Sequence, residues 1–287
     1  MKGIVKKIPC RIVAYLVVFA LCIAYLGMPV GTRMAKAVTS AGGEWEYLDN
    51  GNGTISVIRY YGMVNHLTIP ETIDDKPLIR IGEMTFNCNM NLNSVIISNN
   101  VTDVGQYAFY DCSNLEEVML SNSVVNIGQF AFGECHNLKS MVLPNSVTGI
   151  GESAFTGCIG LSRVVISENI TSIKDYTFSG CISLSCLEIS NNVTFIGENA
   201  FSGCSDLVIY TTSGSYAETY ANEHGIAVQL TDVSGAMPTV SPSPTPTITP
   251  TASPSPTPTI SPTASPSPTP TIPPSPTPTV SPSPTPT

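Results

Sequence analysis

From residue 81 onward the apolar positions recur every 23 residues. Phe86, Phe109, Phe132, Phe155, Phe178 and Phe201 keep this step, as do Leu92, Leu115, Leu138, Leu161, Leu184 and Leu207. Ile81, Val104, Ile127, Ile150, Ile173 and Ile196 form a third ladder. Cys112, Cys135, Cys158, Cys181 and Cys204 form a fourth, with Cys88 one place early. Aligned ladders of a fixed period of about 20–30 residues identify a solenoid, in which no copy buries its apolar face without its neighbours.

Within one copy the spacing changes. After Ile127, apolar or small residues follow at Ala131, Phe132, Cys135 and Leu138, steps of three to four that predict a short helical turn. Met141 and Leu143 then follow at a step of two, which predicts a strand, and Asn145-Ser146 turns the chain before Val147 starts the return. The expected fold class is an α/β repeat solenoid whose short parallel strands stack about 4.8 Å apart.

The polar and small positions repeat as well. Gly82, Gly105, Gly128, Gly151 and Gly197 follow the aliphatic ladder and are expected to allow a tight bend, with Lys174 in their place in the fifth copy. Asn99, Asn122, Asn145 and Asn191 follow the strand, where their amides are expected to satisfy backbone groups leaving the sheet; Glu168 interrupts them. Stacked equivalent cysteines would hold their Cβ atoms parallel and roughly 4.8 Å apart, too far and too parallel for a disulfide, so the thiols are expected to be reduced and buried.

The unit Ile-Gly-x-x-Ala-Phe-x-x-Cys-x-x-Leu-x-x-Val-x-Leu-Pro-x-Ser-Val-Thr, nearly complete over residues 127–148, resembles the BspA-type leucine-rich repeat of bacterial surface proteins. Lys174, Thr177 and the early Cys88 depart from it without removing a core Phe or Leu. The resemblance implies a right-handed leucine-rich stack on an exported protein, and a binding or adhesion module rather than an enzyme.

The ends differ from the middle. Trp45-Glu46-Tyr47-Leu48 and Thr54-Ile55-Ser56-Val57-Ile58 alternate around the Asn- and Gly-rich turn Asp49 to Gly53, predicting a hairpin cap. Leu67-Thr68-Ile69-Pro70 reads as a degenerate repeat strand. Tyr210 and Thr212 are read as replacing the apolar strand residues of the last copy. Ser215 with Glu218 forms a capping box, predicting a helix over 216–224 ended by Gly225, then a strand at Ile226-Ala227-Val228.

Composition sets the outer boundaries. Lys6, Lys7 and Arg11 precede the apolar run Ile12 to Met28, and Ala35-Lys36-Ala37 follows as a cleavage pattern. This reads as a secretory signal, the alternative being an uncleaved anchor. Residues 238–287 contain only Pro, Thr, Ser, Ala, Ile and Val, 19 of the 50 being Pro. They are expected to form a polyproline spacer of up to roughly 155 Å that leads to a further part of the protein, the alternative being a tail that simply ends. The expected domains are a signal peptide at 1–37, an N-terminal cap at 38–80, six repeats at 81–212, a C-terminal cap at 213–237 and the linker at 238–287.

Six of the 12 Lys and Arg lie in the first 37 residues, whereas all 21 acidic residues follow them, so the remainder carries a net charge of −15. That balance excludes nucleic acid and disfavours anionic lipid, leaving membrane contact only through an uncleaved leader. His66, His136 and His224 stand off every ladder and in no nucleophile motif, and Asp49 to Gly53 lacks the spacing of a calcium loop. Asn52, Asn100, Asn169 and Asn192 match glycosylation acceptors, three of them at the repeat's own turn. No catalytic residue, metal or other cofactor is expected.

The strand face is the informative surface. With Leu138, Met141 and Leu143 inward, two columns point outward: Ser94, Glu117, Ser140, Arg163 and Cys186, and beside it Ile96, Met119, Val142, Val165 and Glu188. Four consecutive apolar residues in the second column form an exposed stripe, the usual mark of a partner site. The partner-binding residues are therefore taken as Ile96, Glu117, Met119, Ser140, Val142, Arg163 and Val165 on the concave strand face. Because no aromatic platform stands in these columns, a protein or peptide on a host or neighbouring cell is favoured over a glycan. The expected function is a non-catalytic, secreted or surface-bound interaction module of a Gram-positive-like bacterium. An accessory domain of a secreted enzyme and a self-associating surface protein are the alternatives.

Overall fold

The computed structural model describes residues 37–231. The leader before Ala37 and the Pro-rich linker lie outside the described residues. Ala37, assigned above to the leader, opens the first strand.

The N-terminal cap contains β1 (Ala37–Thr39), β2 (Trp45–Asp49) and β3 (Ile55–Tyr60), then β4 (His66–Thr68), β5 (Thr72–Ile73) and β6 (Lys76–Ile81). The pairs β1–β2 and β2–β3 are antiparallel, which gives the expected hairpin. Its turn is closed by Asp49 Oδ1 accepting from Gly51 N at 2.8 Å. Two-strand coils follow: β7 (Ser94–Ile96) and β8 (Asp103–Val104), β9 (Glu117–Met119) and β10 (Asn126–Ile127), β11 (Ser140–Val142) and β12 (Gly149–Ile150), β13 (Arg163–Val165) and β14 (Ser172–Ile173), β15 (Cys186–Glu188) and β16 (Phe195–Ile196). The chain then adds β17 (Val208–Thr212), α1 (Tyr216–Glu223) and β18 (Ala227–Thr231). The odd strands from β7 to β17, with β4 and β18 at the two ends, pair in parallel on one side, as β4-β7-β9 and β11-β13-β15-β17-β18. The even strands from β6 to β16, continued at the start by β3, pair in parallel on another, as β3-β6-β8-β10-β12 and β14-β16.

The segment expected to be helical in each copy is instead a run of turns. Each copy places two residues at positive φ, for example Tyr107 and Asp111 at 54° and Phe130 and Glu134 at 53° and 59°. Left-handed residues at that spacing end any helix after a single turn. Alternate amides therefore bond across coils: Tyr107, Phe109 and Asp111 N–H donate to the Gln129, Ala131 and Gly133 carbonyls at 2.8–2.9 Å. The amides between them close local turns, as Tyr110 N to Tyr107 O at 3.2 Å. Turns and a helix share the three-to-four spacing, so the pattern does not distinguish them.

A column of phenylalanines runs through the stack. Successive rings from Phe86 to Phe201 lie nearly parallel, within 11°, with centroids 4.8, 5.2, 5.5, 5.4 and 6.0 Å apart. Parallel rings at those separations are offset-stacked, a favoured aromatic arrangement. The two ends are closed by rings at steep angles. Trp45 meets Phe86 edge-on at 87°, and Tyr220 of α1 meets Phe201 at 76°.

The cysteine column serves that spine. Cys112, Cys135, Cys158 and Cys181 Sγ each lie 3.1 Å from the carbonyl oxygen of the preceding copy's Phe, as donors, and Cys204 lies 3.2 Å from that of Phe178. These five and Cys186 are free thiols, as expected. Burial pushes the Cys112 thiol up to about 12 and raises Cys135 and Cys158 in the same direction. Cys181 is raised chiefly by its contact with Cys158 and then by burial.

The glycine ladder does not serve a left-handed conformation, as Lys174 in the same place already implied. None of Gly82, Gly105, Gly128, Gly151 or Gly197 has positive φ. What they permit is close approach of coils: a Cβ at Gly151 would stand 2.3 Å from Gln129 N, and one at Gly105 2.7 Å from Gly82 C. Their amides bond to the preceding coil at 2.8 Å, as Gly128 N to Val104 O and Gly151 N to Ile127 O. At Lys174 no such bond to Ile150 O forms among the described residues, and the sheet breaks between β12 and β14. Of the asparagine ladder, Asn145 satisfies a backbone group as expected, its Oδ1 accepting from Glu168 N at 3.3 Å, while the amides that donate to neighbouring carbonyls belong one place on, to Asn100, Asn169 and Asn192.

The last coil is one residue short. Leu187 registers with Ile209 and Glu188 with Tyr210, a step of 22. Ile209 and Thr211 are therefore buried and Tyr210 faces outward, which corrects its reading as a core replacement. The closing helix is capped as expected, with Ser215 Oγ accepting from Glu218 N at 3.1 Å. The Glu218 carboxylate accepts from Gly214 N, one residue before the cap.

Two stability predictions follow from the spine. Phe132→Ala is expected to cost about 3–5 kcal/mol by chemical denaturation, as truncation of a buried aromatic does, while Ser140→Ala leaves the midpoint in place; equal midpoints would contradict the register. The buried thiols have folded pKa values above their unfolded value of about 8.5, so their contribution is complete below that pH and is lost as pH rises through it. Cys112, pushed up to about 12, is expected to weaken the fold by about 2 kcal/mol at pH 10, read as a falling denaturation midpoint that Cys112→Ala makes shallower.

Candidate functional site

The odd strands hold the columns in the expected order. Ser94 pairs with Glu117 and Ile96 with Met119 on β7 and β9. Ser140, Arg163 and Cys186 align across β11, β13 and β15, and so do Val142, Val165 and Glu188. Inward Val95, Val118, Met141, Val164 and Leu187 are buried against the core, which forces their strand neighbours out.

The ladder is interrupted between the two groups. Strands β9 and β11 are neighbours without register pairing, joined by Lys139 N donating to Glu116 O at 3.2 Å and by an ion pair between the same side chains. Leu120, next to β9, is only partly buried, whereas Ile97, Leu143, Ile166 and Ile189 at its position are buried. Met119 and Val142 thus meet across a seam. Val142 is the most open member of the stripe, 60% exposed, while Ile96, Met119 and Val165 are half-buried.

The charged flanks differ from one another. Arg163 is bound by Glu188 at 2.5 Å, diagonally past Val165, so it is a neutralised pair rather than an open cation. Glu117 and Ser140 are exposed. Cys186 is half-buried beside Arg163; burial raises its thiol pKa, which Arg163 lowers and Glu188 raises.

Two aromatic features were not read from the sequence as sites. The short last coil brings Tyr210 into the second column beyond Glu188, correcting the expectation that no aromatic stands there. On the turn side, Tyr107 and Phe130 stack at 4.9 Å with Tyr110 beside them. The 23-residue step from 107 to 130 was the available signal for that pair.

The histidines lie apart. His66 Nδ1 is 2.8 Å from Ser94 Oγ, His136 is 3.2 Å from Glu134, and His224 stacks on Tyr220 at 3.9 Å. Among the described residues no three metal-ligating side chains cluster, and no helix is long and apolar enough to cross a membrane.

The comparisons agree with this architecture. The BspA type leucine rich repeat region, in six copies, matches residues 63–213, more than half of the chain, and the chain belongs to that family. Similar solved structures include a Treponema pallidum leucine rich repeat protein, at 21% identity over 70% of this chain and 98% of the other, TM-score 0.46. A leucine rich cell surface protein of Faecalibacterium prausnitzii is 27% identical over 64% of this chain, TM-score 0.47, and the pneumococcal vaccine antigen PcpA is 21% identical over 67%, TM-score 0.53. This chain spans 56% and 49% of those last two. A search of curated proteins returns no significant match.

Alkylation checks the site's register. With iodoacetamide at alkaline pH, Cys186 is expected to react in the folded protein, faster as pH rises toward its raised pKa. Cys112, Cys135, Cys158 and Cys181 are expected to react only after denaturation; peptide mapping that finds Cys186 protected, or those four labelled natively, contradicts the placement.

Proposed function

We propose that this chain is a non-catalytic extracellular interaction module that holds a protein or peptide partner on the odd-strand face. The observation that carries the reading is the apolar column Ile96, Met119, Val142 and Val165, outward on successive coils, with Val142 60% exposed at its centre. Its rim is polar: Glu117 and Ser140 on one side and the Arg163–Glu188 pair at the end. An apolar centre within a polar rim is the anatomy of a protein interface. Stacked coils extend such a patch by adding neighbours.

The excess of acid over base after residue 37 favours a partner that is neutral or basic rather than a polyanion. Secretion or surface attachment accords with the leader's pattern and with the surface-protein description of the Faecalibacterium relative.

The test uses a random dodecapeptide phage library selected on the full chain. Recovered peptides are expected to be rich in apolar residues and to lose about tenfold or more in affinity, on the order of 1.4 kcal/mol, on the doubly substituted Val142→Lys, Val165→Lys chain. Both positions point outward, so its thermal midpoint should stay near the parent's. Undiminished binding by the double variant contradicts the reading.

A further inference from the structure

We propose that the turn side of the second and third coils carries a separate site for a neutral carbohydrate chain, built on Tyr107, Tyr110 and Phe130. It lies off the odd-strand face and does not rest on the reading above.

The three rings form a corner. Tyr107 and Phe130 stack with planes 4° apart, so each covers one face of the other and the pair presents its ring edges side by side. Tyr110 stands across them, at 77° to Tyr107 with centroids 5.4 Å apart and at 79° to Phe130 with centroids 6.2 Å apart. Space for Tyr110 comes from Gly133 on the next coil: a Cβ there would meet Tyr110 Cδ2 at 3.0 Å and Cε2 at 3.2 Å, and Phe130 Cδ1 at 3.4 Å. All three rings are half-buried, open to solvent on part of their surface.

The solenoid has no need of them. The positions equivalent to Tyr107 and Phe130 hold Met84, Ser153, Tyr176 and Asn199, and those equivalent to Tyr110 hold Asn87, Gly133, Thr156, Ser179 and Ser202. Tyr107 and Phe130 moreover sit at positive φ, a conformation that bulky residues adopt at a cost. Three aromatic residues converge where the other copies, Met84 and Tyr176 excepted, hold small or polar ones.

The polar surroundings decide the class of ligand. Gln106 donates to Gln129 at 3.3 Å, forming an amide step beside the stacked pair. Beyond burial, Glu134 and Asp111 raise the Tyr110 phenol pKa and Glu152 that of Tyr107, with Glu134 itself beside His136 at 3.2 Å. Neither phenol hydroxyl has a hydrogen-bond partner among the described residues, and burial raises both pKa values, so both stay protonated donors at neutral pH. Carboxylates and amides beside partly exposed aromatic rings match a ring that carries C–H groups on its face and hydroxyls on its edge. The carboxylates repel sulfated or uronic polymers, which leaves neutral sugars. The corner spans two coils, roughly 10 Å across and so on the order of 100 Å², far less than the ~800 Å² per side of a stable protein interface.

The test is titration of the full chain with neutral hexasaccharides (cellohexaose, xylohexaose, mannohexaose and N-acetylchitohexaose), with heparin as the anionic control, read by calorimetry. At least one neutral hexasaccharide is expected to bind with a Kd at or below about 1 mM, and heparin not at all. Tyr110→Ala should weaken that binding about tenfold or more, and Asp111→Asn, which keeps the packing, should weaken it less. Val142→Lys with Val165→Lys should leave it unchanged. If Tyr110→Ala does not fold, Tyr110→Leu supplies the same comparison. Absence of binding by every neutral hexasaccharide at about 10 mM, or binding indifferent to Tyr110, overturns the proposal. So does selection of phage peptides whose binding depends on Tyr110 while no sugar binds, which would make the corner a peptide site.

Discussion

Stacking of one phenylalanine on the next is the interaction on which the rest of this structure depends. Each ring is buried only because a coil lies above and below it, so the column exists as a whole or not at all. The same residue supplies the carbonyl that accepts the next copy's cysteine thiol, so ring, carbonyl and thiol repeat as one unit. Where the stack stops, an exposed ring face would remain, and the protein closes both ends with aromatic rings set at steep angles, Trp45 and Tyr220.

The even-strand side obeys a different constraint. There the coils approach so closely that a Cβ meets backbone, and glycine is the residue that fits. Lys174 marks the consequence of departing from it: the ladder of amide bonds is interrupted, yet Ile150, Ile173 and the Phe column remain buried across the break. Side-chain packing is thus the stronger term, and the hydrogen-bonded edge tolerates a fault. The missing residue in the last coil is absorbed in the same spirit, since a slip of one place put Ile209 inward and Tyr210 outward without a loss of core.

The two proposed surfaces use positions that the spine leaves free. On the odd strands these are every second residue; on the turns they are the places where Tyr107, Tyr110 and Phe130 stand. The two surfaces differ in chemistry, one an aliphatic stripe with a polar rim and the other an aromatic corner among carboxylates. They face away from the core on different segments of the coil, which allows each to vary from copy to copy without disturbing the stack.

The period, the inward residues, the two caps and the outward columns were all legible in the sequence, because burial repeats with the chain and leaves its mark at fixed intervals. Three things were not. The turn segments read as helix, because left-handed residues such as Tyr107 and Asp111 carry no signature of their own and turns share the helix's spacing. The role of glycine read as a bend, because the distance between coils is a property of the stack and not of any one copy. The aromatic corner and the place of Tyr210 went unread, because ring angles and strand register exist only once separate coils lie against each other. Sequence determines which residues must be hidden; tertiary packing alone decides how the remaining side chains meet, since contacts between copies depend on coil spacing and register that no single copy encodes.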